Sequence, residues 1–378
     1  MQNVTAAGLG IGDDHPPRIM GVLNVSEESP YDPSVYDDPG EAAEYVDSEL
    51  VDEGADIVDV GLESANKRFE VLSAEQELDR LDTAIAAIES VSGDAVFSIE
   101  TRYAEVADEA LSRGFDMVND ICGFADPEMP AVCEAHDAAV VKMASPPDLE
   151  RPGAIERPDD IYDALKREGL TDKTIVDPAF GGWSEKKTLE DDRETFRRLR
   201  EFRGLGRPIL VSINRKNFLR DIAGRSTEEA LPVSLAATAM AVERGAHVVR
   251  THDVAETADA AKIGAAFARE RTLEEELGVE ELDVTTTREA ARHLDRIGAE
   301  GSLAEEATVR AFELTGLDER DRQVLASAAS DAGAAFAPGE SASLLAGSPA
   351  ALARLESGFS DASPRLDAVL DAVSERER

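Results

Sequence analysis

The chain is poor in several residue types, and each scarcity excludes a class of protein. Only two of its 378 residues are cysteine, Cys122 and Cys133, and their separation fits neither a CxxC pair nor a zinc-ligand spacing. Two thiols also do not indicate the disulfide framework of a secreted domain. The N-terminus shows no basic segment followed by an apolar core, and no apolar run approaches the length of a membrane span. We therefore expect a cytoplasmic protein with no membrane partner.

Basic residues are scarce as well. Lysine and arginine total 39 against 79 aspartate and glutamate, which gives a formal net charge of −40. Only eight of the basic residues are lysine, and none follows Lys262. Nucleic acids and anionic membranes both need basic patches, so neither is expected as a partner. The acidic residues are interspersed with apolar ones rather than gathered in a disordered tail, which favours adaptation to a halophilic, high-salt cytoplasm.

One alternation of patterns runs from Arg18 to about Arg269. Short runs rich in valine and isoleucine alternate with amphipathic stretches of helical period, such as those at 40–54, 74–91, 192–202 and 227–245. The runs cover residues 19–25, 56–61, 95–100, 117–121, 139–143, 174–178, 208–213 and 247–251. Buried parallel strands separated by helices over about 250 residues predict an α/β fold, the (β/α)8 TIM barrel. A doubly wound open sheet is the alternative, but it usually has fewer strands, and no GxGxxG turn follows the first run.

The flanking segments differ from this pattern. We predict an N-terminal extension over 1–17, the barrel over 18–270, a charged linker over 271–284 and a small α or α/β accessory domain over 285–378. Within the accessory domain the patterns predict helices over 285–298, 303–316 and 318–333, then a strand over 342–347 and a helix beginning at Ser348-Pro349. The accessory sequence shows no nucleophile, ligand cluster or phosphate loop, so we expect the chemistry to lie in the barrel.

Polar residues fall at or just beyond the carboxyl ends of the predicted strands. They are Asn24, Glu63, Glu100, Asn119, Asp177, Lys216 and His252. In a TIM barrel these ends ring one face, which carries the active site. Any one of these residues alone is as easily read as a cap on the next helix or turn. The whole set on one rim favours a shared pocket.

Two kinds of chemistry are indicated at this rim. Arg250 and His252 flank Thr251, so their side chains point the same way, and the pair suits an anion such as phosphate after the last strand. Asn24, beside them in the barrel, suits a diphosphate with Mg²⁺, an ion that prefers oxygen ligands. The chain has no Gly-rich phosphate loop, which argues against ATP hydrolysis.

The remaining rim residues form an alternating set of donors and acceptors. Carboxylates at Glu100 and Asp177, the amide of Asn119 and the ammonium of Lys216 suit a flat heterocycle with many N–H and C=O groups. A pair of carboxylates equally suits general acid and base catalysis on a sugar.

Several short motifs occur together in an order that resembles the dihydropteroate synthase family. They are IMGVLNVS (19–26), GADIVDVGLES (54–64), SIET (98–101), VNDICG (118–123), VDP (176–178), NRKNF (214–218) and VVRTHDVAET (248–257). The resemblance covers residues 18 to about 268, the whole predicted barrel, and points to a haloarchaeal member. It implies transfer of a dihydropterin hydroxymethyl group to p-aminobenzoate, with diphosphate leaving under electrostatic stabilisation by cationic groups and Mg²⁺. It also implies a homodimer.

The resemblance further assigns roles to individual residues. Pterin-binding positions of the family match Asp59, Glu100, Asn119, Asp177 and Lys216. Positions that hold the diphosphate match Asn24, Arg250 and His252, with Asn24 as a ligand of Mg²⁺. On this scheme the catalytic residues are Lys216, Arg250 and His252.

The sequence departs from the family pattern at the loops expected to contact the arylamine. Residues 26–30 read SEESP where the family usually has TPDSF, and 65–68 read ANKR where it has TRPG. Glu100 replaces an aspartate. These departures keep open a related arylamine as acceptor and a non-catalytic pterin-binding paralogue. A methyltransferase using a methyltetrahydropterin is a further alternative, although methyl transfer needs no diphosphate site.

Overall fold

The computed structural model describes residues 1–25, 34–36, 38–63, 71–149, 152–167, 169–181, 186–274, 277–356 and 363–374. The chain divides into two compact units, Met1–Glu270 and Arg271–Arg378. No helix in these described ranges is both long and apolar enough to cross a membrane.

The first unit is built on a ring of parallel strands. The strands are β3 (Arg18–Asn24), β4 (Ile57–Gly61), β5 (Val96–Thr101), β6 (Met117–Asp120), β7 (Ala139–Met143), β8 (Thr174–Asp177), β9 (Leu210–Val211) and β10 (Val248–Thr251). They form one eight-stranded sheet in the order β8-β7-β6-β5-β4-β3-β10-β9. A parallel bridge between Val176 and Ile209 joins the two end strands, β8 and β9. The predicted TIM barrel is therefore confirmed.

Helices follow the strands and cover the outside of the barrel. They are α1 (Pro39–Tyr45, continued by a π-helical turn over Val46–Val51), α2 (Ala74–Ser90), α3 (Ala104–Ser112), α4 (Met129–Ala135), α5 (Pro158–Lys166), α6 (Leu189–Arg197, followed by a 3₁₀ segment over Leu199–Leu205), α7 (Asn217–Ala223), α8 (Leu231–Glu243) and α9 (Val254–Ala266). Capping boxes begin α2 at Ser73 and α6 at Thr188, where each hydroxyl accepts an otherwise unsatisfied backbone N–H.

The amino-terminal end of the barrel is closed by a hairpin. Strands β1 (Val4–Ala6) and β2 (Leu9–Ile11) pair in antiparallel fashion. Their buried side chains Val4 and Ile11 belong to one apolar cluster with residues at the beginnings of the barrel strands, including Ile57 and Val248. The segment predicted as an N-terminal extension thus packs against the barrel core, and the active face lies at the opposite end.

The second unit is a small α/β structure. After a short antiparallel pair, β11 (Leu273–Glu274) with β12 (Val279–Glu280), it contains α10 (Thr287–Arg296), a 3₁₀ segment (Gly301–Glu306), β13 (Arg310–Thr315), α11 (Glu319–Ala332), β14 (Ala335–Pro338), β15 (Ala342–Gly347), α12 (Pro349–Glu356) and α13 (Pro364–Ser374). The last three strands form an antiparallel sheet in the order β13-β15-β14. The strand over 342–347 and the helix that follows are confirmed.

The predicted helix over 303–316 is wrong for its second half, which is the strand β13. Phe312 and Leu314 on this strand are more buried than Ala311 and Glu313, so the side chains alternate with the two-residue period of a strand. Pairing with β15 stabilises the extended backbone, and this tertiary contact outweighs the helical propensity of the segment.

Candidate active site

The carboxyl ends of the barrel strands surround a cavity. Its empty space, open solvent included, is about 390 Å³. Five predicted site residues line it: Glu100, Asn119, Asp177, Lys216 and Arg250. The wall is completed by Ile121, Met143, Ala179, Phe180 and Ser212. The barrel thus brings together groups that lie as much as 150 residues apart along the chain.

Arg250, which lines this cavity, lies between two carboxylates. Its Nε donates to Asp59 Oδ2 at 2.8 Å and its Nη2 donates to Glu100 Oε2 at 2.7 Å. Asp59 is fully buried and also accepts hydrogen bonds from Ser98 Oγ at 2.8 Å and Asn119 Nδ2 at 2.9 Å. A buried charge is tolerated when it is paired and hydrogen-bonded in this way. Asp59 therefore fixes the orientation of both Arg250 and Asn119.

Two carboxyl groups of the cavity have perturbed pKa values. Burial raises the pKa of Glu100 to about 7, although the nearby Arg250 opposes the shift. Burial also raises the pKa of Asp177 to about 6, against the opposing backbone N–H of Ala179, which donates to Asp177 Oδ1 at 2.7 Å. Both groups therefore titrate close to neutral pH, where each acts as an acceptor or, when protonated, as a donor toward a ligand.

Lys216 is the N-cap residue of α7 and reaches toward the turn that follows β8. A methyl group on Gly181 would lie 3.1 Å from Lys216 Nζ, and Gly181 also has a φ of +115°, so two independent reasons favour glycine there. Burial lowers the pKa of Lys216, and the neighbouring Arg250 acts in the same direction. Below the turn, Lys187 Nζ donates to Ala179 O at 2.7 Å. Lys187 thereby holds in place the turn that faces Lys216.

Asn24 and His252 lie at the same end of the barrel but are not among the described residues that line this cavity. Asn24 Nδ2 donates to Ser34 Oγ at 2.9 Å, and Asn24 Oδ1 faces Gly61 on β4. Burial, followed by the charge of Arg250, lowers the pKa of His252 to about 3, so its imidazole is neutral at physiological pH. The diphosphate and metal roles of these residues stay predictions. The altered loops at 26–33 and 64–70 lie outside the described residues.

The part of the chain that the structure describes shows no magnesium site made of protein groups alone. Within the described ranges, no group of three or more His, Cys, Asp and Glu is arranged to hold a metal ion. An amide oxygen such as Asn24 Oδ1 is nevertheless a ligand that Mg²⁺ accepts when most of its shell is water and substrate phosphate oxygen. The donor set therefore fits an ion that binds together with a diphosphate.

Sequence reasoning did not identify the role of Arg102, which is only 1% exposed. Its Nη1 donates to Glu63 Oε2 at 2.6 Å and lies within 3.7 Å of Glu77, and its Nε donates to Leu149 O at 2.8 Å. Arg102 thus joins the end of β4 to α2 and to the loop after β7, beside the cavity. Its position directly after a strand was the available signal, but the sequence pattern does not show which way the side chain turns.

Comparisons with known proteins assign the barrel to a family. Residues 20–252 match the family model described as pterin binding enzyme. The chain is 32% identical over 253 residues to the dihydropteroate synthase of Bacillus subtilis, which covers 65% of this chain and 86% of that protein. It is 34% identical over 260 residues to a probable bifunctional folylpolyglutamate synthase/dihydropteroate synthase of Halobacterium salinarum, a match that spans 66% of this chain but only 31% of that longer protein.

A solved structure shows the same likeness. The dihydropteroate synthase of Coxiella burnetii in complex with pteroic acid is 30% identical, with a TM-score of 0.59 over 70% of this chain and 98% of that one. The chain belongs to the family of pterin-binding enzymes. Within it, the chain is a dihydropteroate synthase-like transferase of folate biosynthesis.

Proposed function

We propose that this chain condenses 6-hydroxymethyl-dihydropterin diphosphate with p-aminobenzoate, or a related arylamine, and releases diphosphate. The observation that carries the proposal is the cavity in which Asn119, Asp177 and Lys216 lie beside the Asp59–Arg250–Glu100 ion pairs. The solved relative that holds pteroic acid, the structure from Coxiella burnetii, supports a pterin ligand in this barrel.

The polar groups of the cavity complement a pterin ring. Asn119 uses one amide hydrogen on Asp59, which leaves its carbonyl oxygen and second amide hydrogen for the ring. Ionised Asp177 accepts ring N–H groups, whereas Lys216 donates to a ring oxygen or nitrogen. The apolar side chains of Ile121 and Met143 supply flat packing surface. Such a site orients the ring so that its hydroxymethyl carbon points toward the open carboxyl end of the barrel.

The reaction requires one bond to break and one to form. The bond between the methylene carbon and the diphosphate oxygen breaks, and the electron pair leaves with the diphosphate. The arylamine nitrogen then bonds to the methylene carbon and loses a proton. Arg250, as a largely buried cation, and neutral His252, as an N–H donor, stabilise the leaving charge. Mg²⁺, when bound, neutralises diphosphate charge, and Asn24 is the residue that would supply a protein ligand.

Release of diphosphate by the purified chain in molar KCl tests this proposal. We expect release only when the pterin diphosphate and p-aminobenzoate are both present. The matched control is the same pterin without its diphosphate, which retains the ring but has no leaving group. Ligand-induced stabilisation without turnover would support the non-catalytic paralogue instead, because ligand binding to the folded state raises its stability. If no pterin stabilises the chain and none is turned over, a pterin function is refuted.

We also propose a homodimer that forms through α8 and α9. Three large apolar side chains are exposed here: Met240 on α8 at 46%, Ile263 on α9 at 56% and Phe267, the C-cap of α9, at 79%. Burial of such residues between two copies would remove apolar area from water. Light scattering after size exclusion should give twice the chain mass for the wild type and the monomer mass for Phe267→Glu. A monomeric wild type would contradict the proposal.

The acidic, lysine-poor composition supports a halophilic cytoplasm as the working environment. The unfolding temperature should fall when molar KCl is replaced by dilute buffer, since the excess carboxylates then repel one another with less screening. An unfolding temperature that does not depend on salt would contradict this inference.

A further inference from the structure

Arg215, in the turn between β9 and α7, has an unusual backbone conformation. Its φ is +50°, a left-handed value that non-glycine residues seldom adopt. Such a conformation persists only where the surroundings hold it, and it is found most often at functional sites. Arg215 directly precedes Lys216, the lysine of the cavity.

Hydrogen bonds from both the backbone and the side chain hold Arg215 in place. Its backbone N–H donates to Ser234 Oγ at 2.8 Å. In its guanidinium, Nη1 donates to the carbonyl oxygens of Thr227 at 2.8 Å and Glu228 at 2.9 Å. The Nε and Nη2 atoms donate to the two carboxylate oxygens of Asp253, each at 2.8 Å. This bidentate geometry fixes direction as well as distance.

Asp253 connects the same turn to the end of β10. Its carboxylate accepts from Asn214 Nδ2 at 2.8 Å in addition to the two bonds from Arg215. Its backbone N–H donates to Thr251 Oγ1 at 3.0 Å, which sets the turn that includes His252. The Arg215 and Asp253 side chains are only 16% and 15% exposed, so water screens the pair less than it would a surface ion pair.

We propose that Arg215 and Asp253 are a positioning pair that sets Lys216 and His252 relative to each other across two barrel strands. The pair thereby couples the pterin ring site to the diphosphate site, and this inference rests on the function proposed above. Each member of the pair is covalently adjacent to one of the two functional residues. A shift of either turn moves a catalytic group without removing it.

The test compares Arg215→Met, Arg215→Lys, Asp253→Asn and the double variant Arg215→Met/Asp253→Asn. The matched control is Arg18→Met, because Arg18 pairs with Asp56 at 3.2 Å with side-chain exposures of 16% and 26%, at the amino-terminal end of the same barrel. For each protein the assay gives kcat and KM for the pterin diphosphate, pterin affinity by calorimetry and the urea midpoint of unfolding.

We expect each single variant to lower kcat/KM by about 100-fold, the cost of a small misplacement of reacting groups. The double variant should lose little more than either single one, since the two side chains act as a unit. Arg215→Lys should not restore activity, because an ammonium cannot form the bidentate pair. Arg18→Met should lower the urea midpoint but leave kcat/KM within about twofold of the wild type, since that pair is remote from the site.

Two results would overturn the positioning role. If Arg215→Met and Asp253→Asn lose only stability, as Arg18→Met does, the pair is merely structural. If Arg215→Lys recovers full activity, charge rather than geometry explains the effect. A wild type that binds pterin without releasing diphosphate would refute the proposed catalysis instead. In that case the positioning role of Arg215 and Asp253 would be refuted as well if Asp253→Asn and Arg215→Met bound the pterin as tightly as the wild type.

Discussion

Replacement of Arg250 by methionine should destabilise the barrel strongly, because two carboxylates would lose their cationic partner at once. Arg250 lies 2.8 Å from Asp59, which is fully buried, and 2.7 Å from Glu100, whose side chain is 12% exposed. Removal of one partner from a buried ion pair costs about 3–5 kcal/mol, compared with about 0–1 kcal/mol for an exposed pair. Asp59 would keep its bonds from Ser98 and Asn119, so we expect a loss near the lower end, about 3 kcal/mol.

The loss should also depend on pH. The pKa of Glu100 is already raised to about 7 by burial, and Arg250 is the group that holds it down most. Without the arginine this pKa rises further. A carboxyl group whose folded-state pKa is raised contributes stability at low pH that is lost as the pH rises through that pKa. The gap in unfolding free energy between wild type and Arg250→Met should therefore widen as the pH rises above about 7.

Urea unfolding in molar KCl measures this effect. The fluorescence of the single tryptophan, Trp183, provides the signal. The control is Arg157→Met, because Arg157 pairs with Asp160 at 2.8 Å on the surface at the start of α5, where side-chain exposures are 73% and 47%. A loss below about 1 kcal/mol for Arg250→Met, equal to that of the control, would refute the reasoning about buried charge.

Three further changes test other parts of the account. Lys216→Ala should abolish pterin binding measured by calorimetry, and unchanged affinity would refute its role. Pterin affinity should fall as the pH is lowered through about 6, because Asp177 then takes up a proton and no longer accepts hydrogen bonds from ring N–H groups as a carboxylate. If Asp177→Asn showed the same pH dependence of affinity as the wild type, Asp177 would not be the group that titrates. Burial opposes ionisation of Asp13, but His247 and Arg203 outweigh it and hold its pKa below the usual range. The wild type should therefore lose stability as the pH falls below about 4, measured by urea midpoints, and Asp13→Asn should flatten that dependence.

Much of the barrel follows from hydrophobic pattern. The predicted run at 139–143 coincides with β7, and most others match their strands to within a residue or two at each end. The run at 208–213 is longer than β9, which covers only Leu210–Val211, because the apolar residues continue into the turn before Arg215. In the second unit, the partner strand β15 decides the conformation of 310–315, and a local pattern does not contain that information.

Charge pairing in the site was not predictable in the same way. The resemblance assigned Arg250 to the diphosphate, which stays a prediction, and the structure adds the hydrogen bonds that its guanidinium donates to Asp59 and Glu100. These partners are 191 and 150 residues away along the chain, and only closure of the barrel brings them together. The Arg102 interactions depend on loop packing for the same reason. Strand ends thus indicate which residues reach the rim, and the three-dimensional fold decides which of them pair.

Calorimetric titration with 6-hydroxymethyl-dihydropterin diphosphate tests the central claim, that the cavity at the carboxyl ends of the strands binds the pterin. We expect one site per barrel in the wild type and in Arg18→Met, and a large loss of affinity in Asp177→Asn and Lys216→Ala. Equal affinity in all four proteins would contradict it, because the ligand would then bind somewhere other than this cavity.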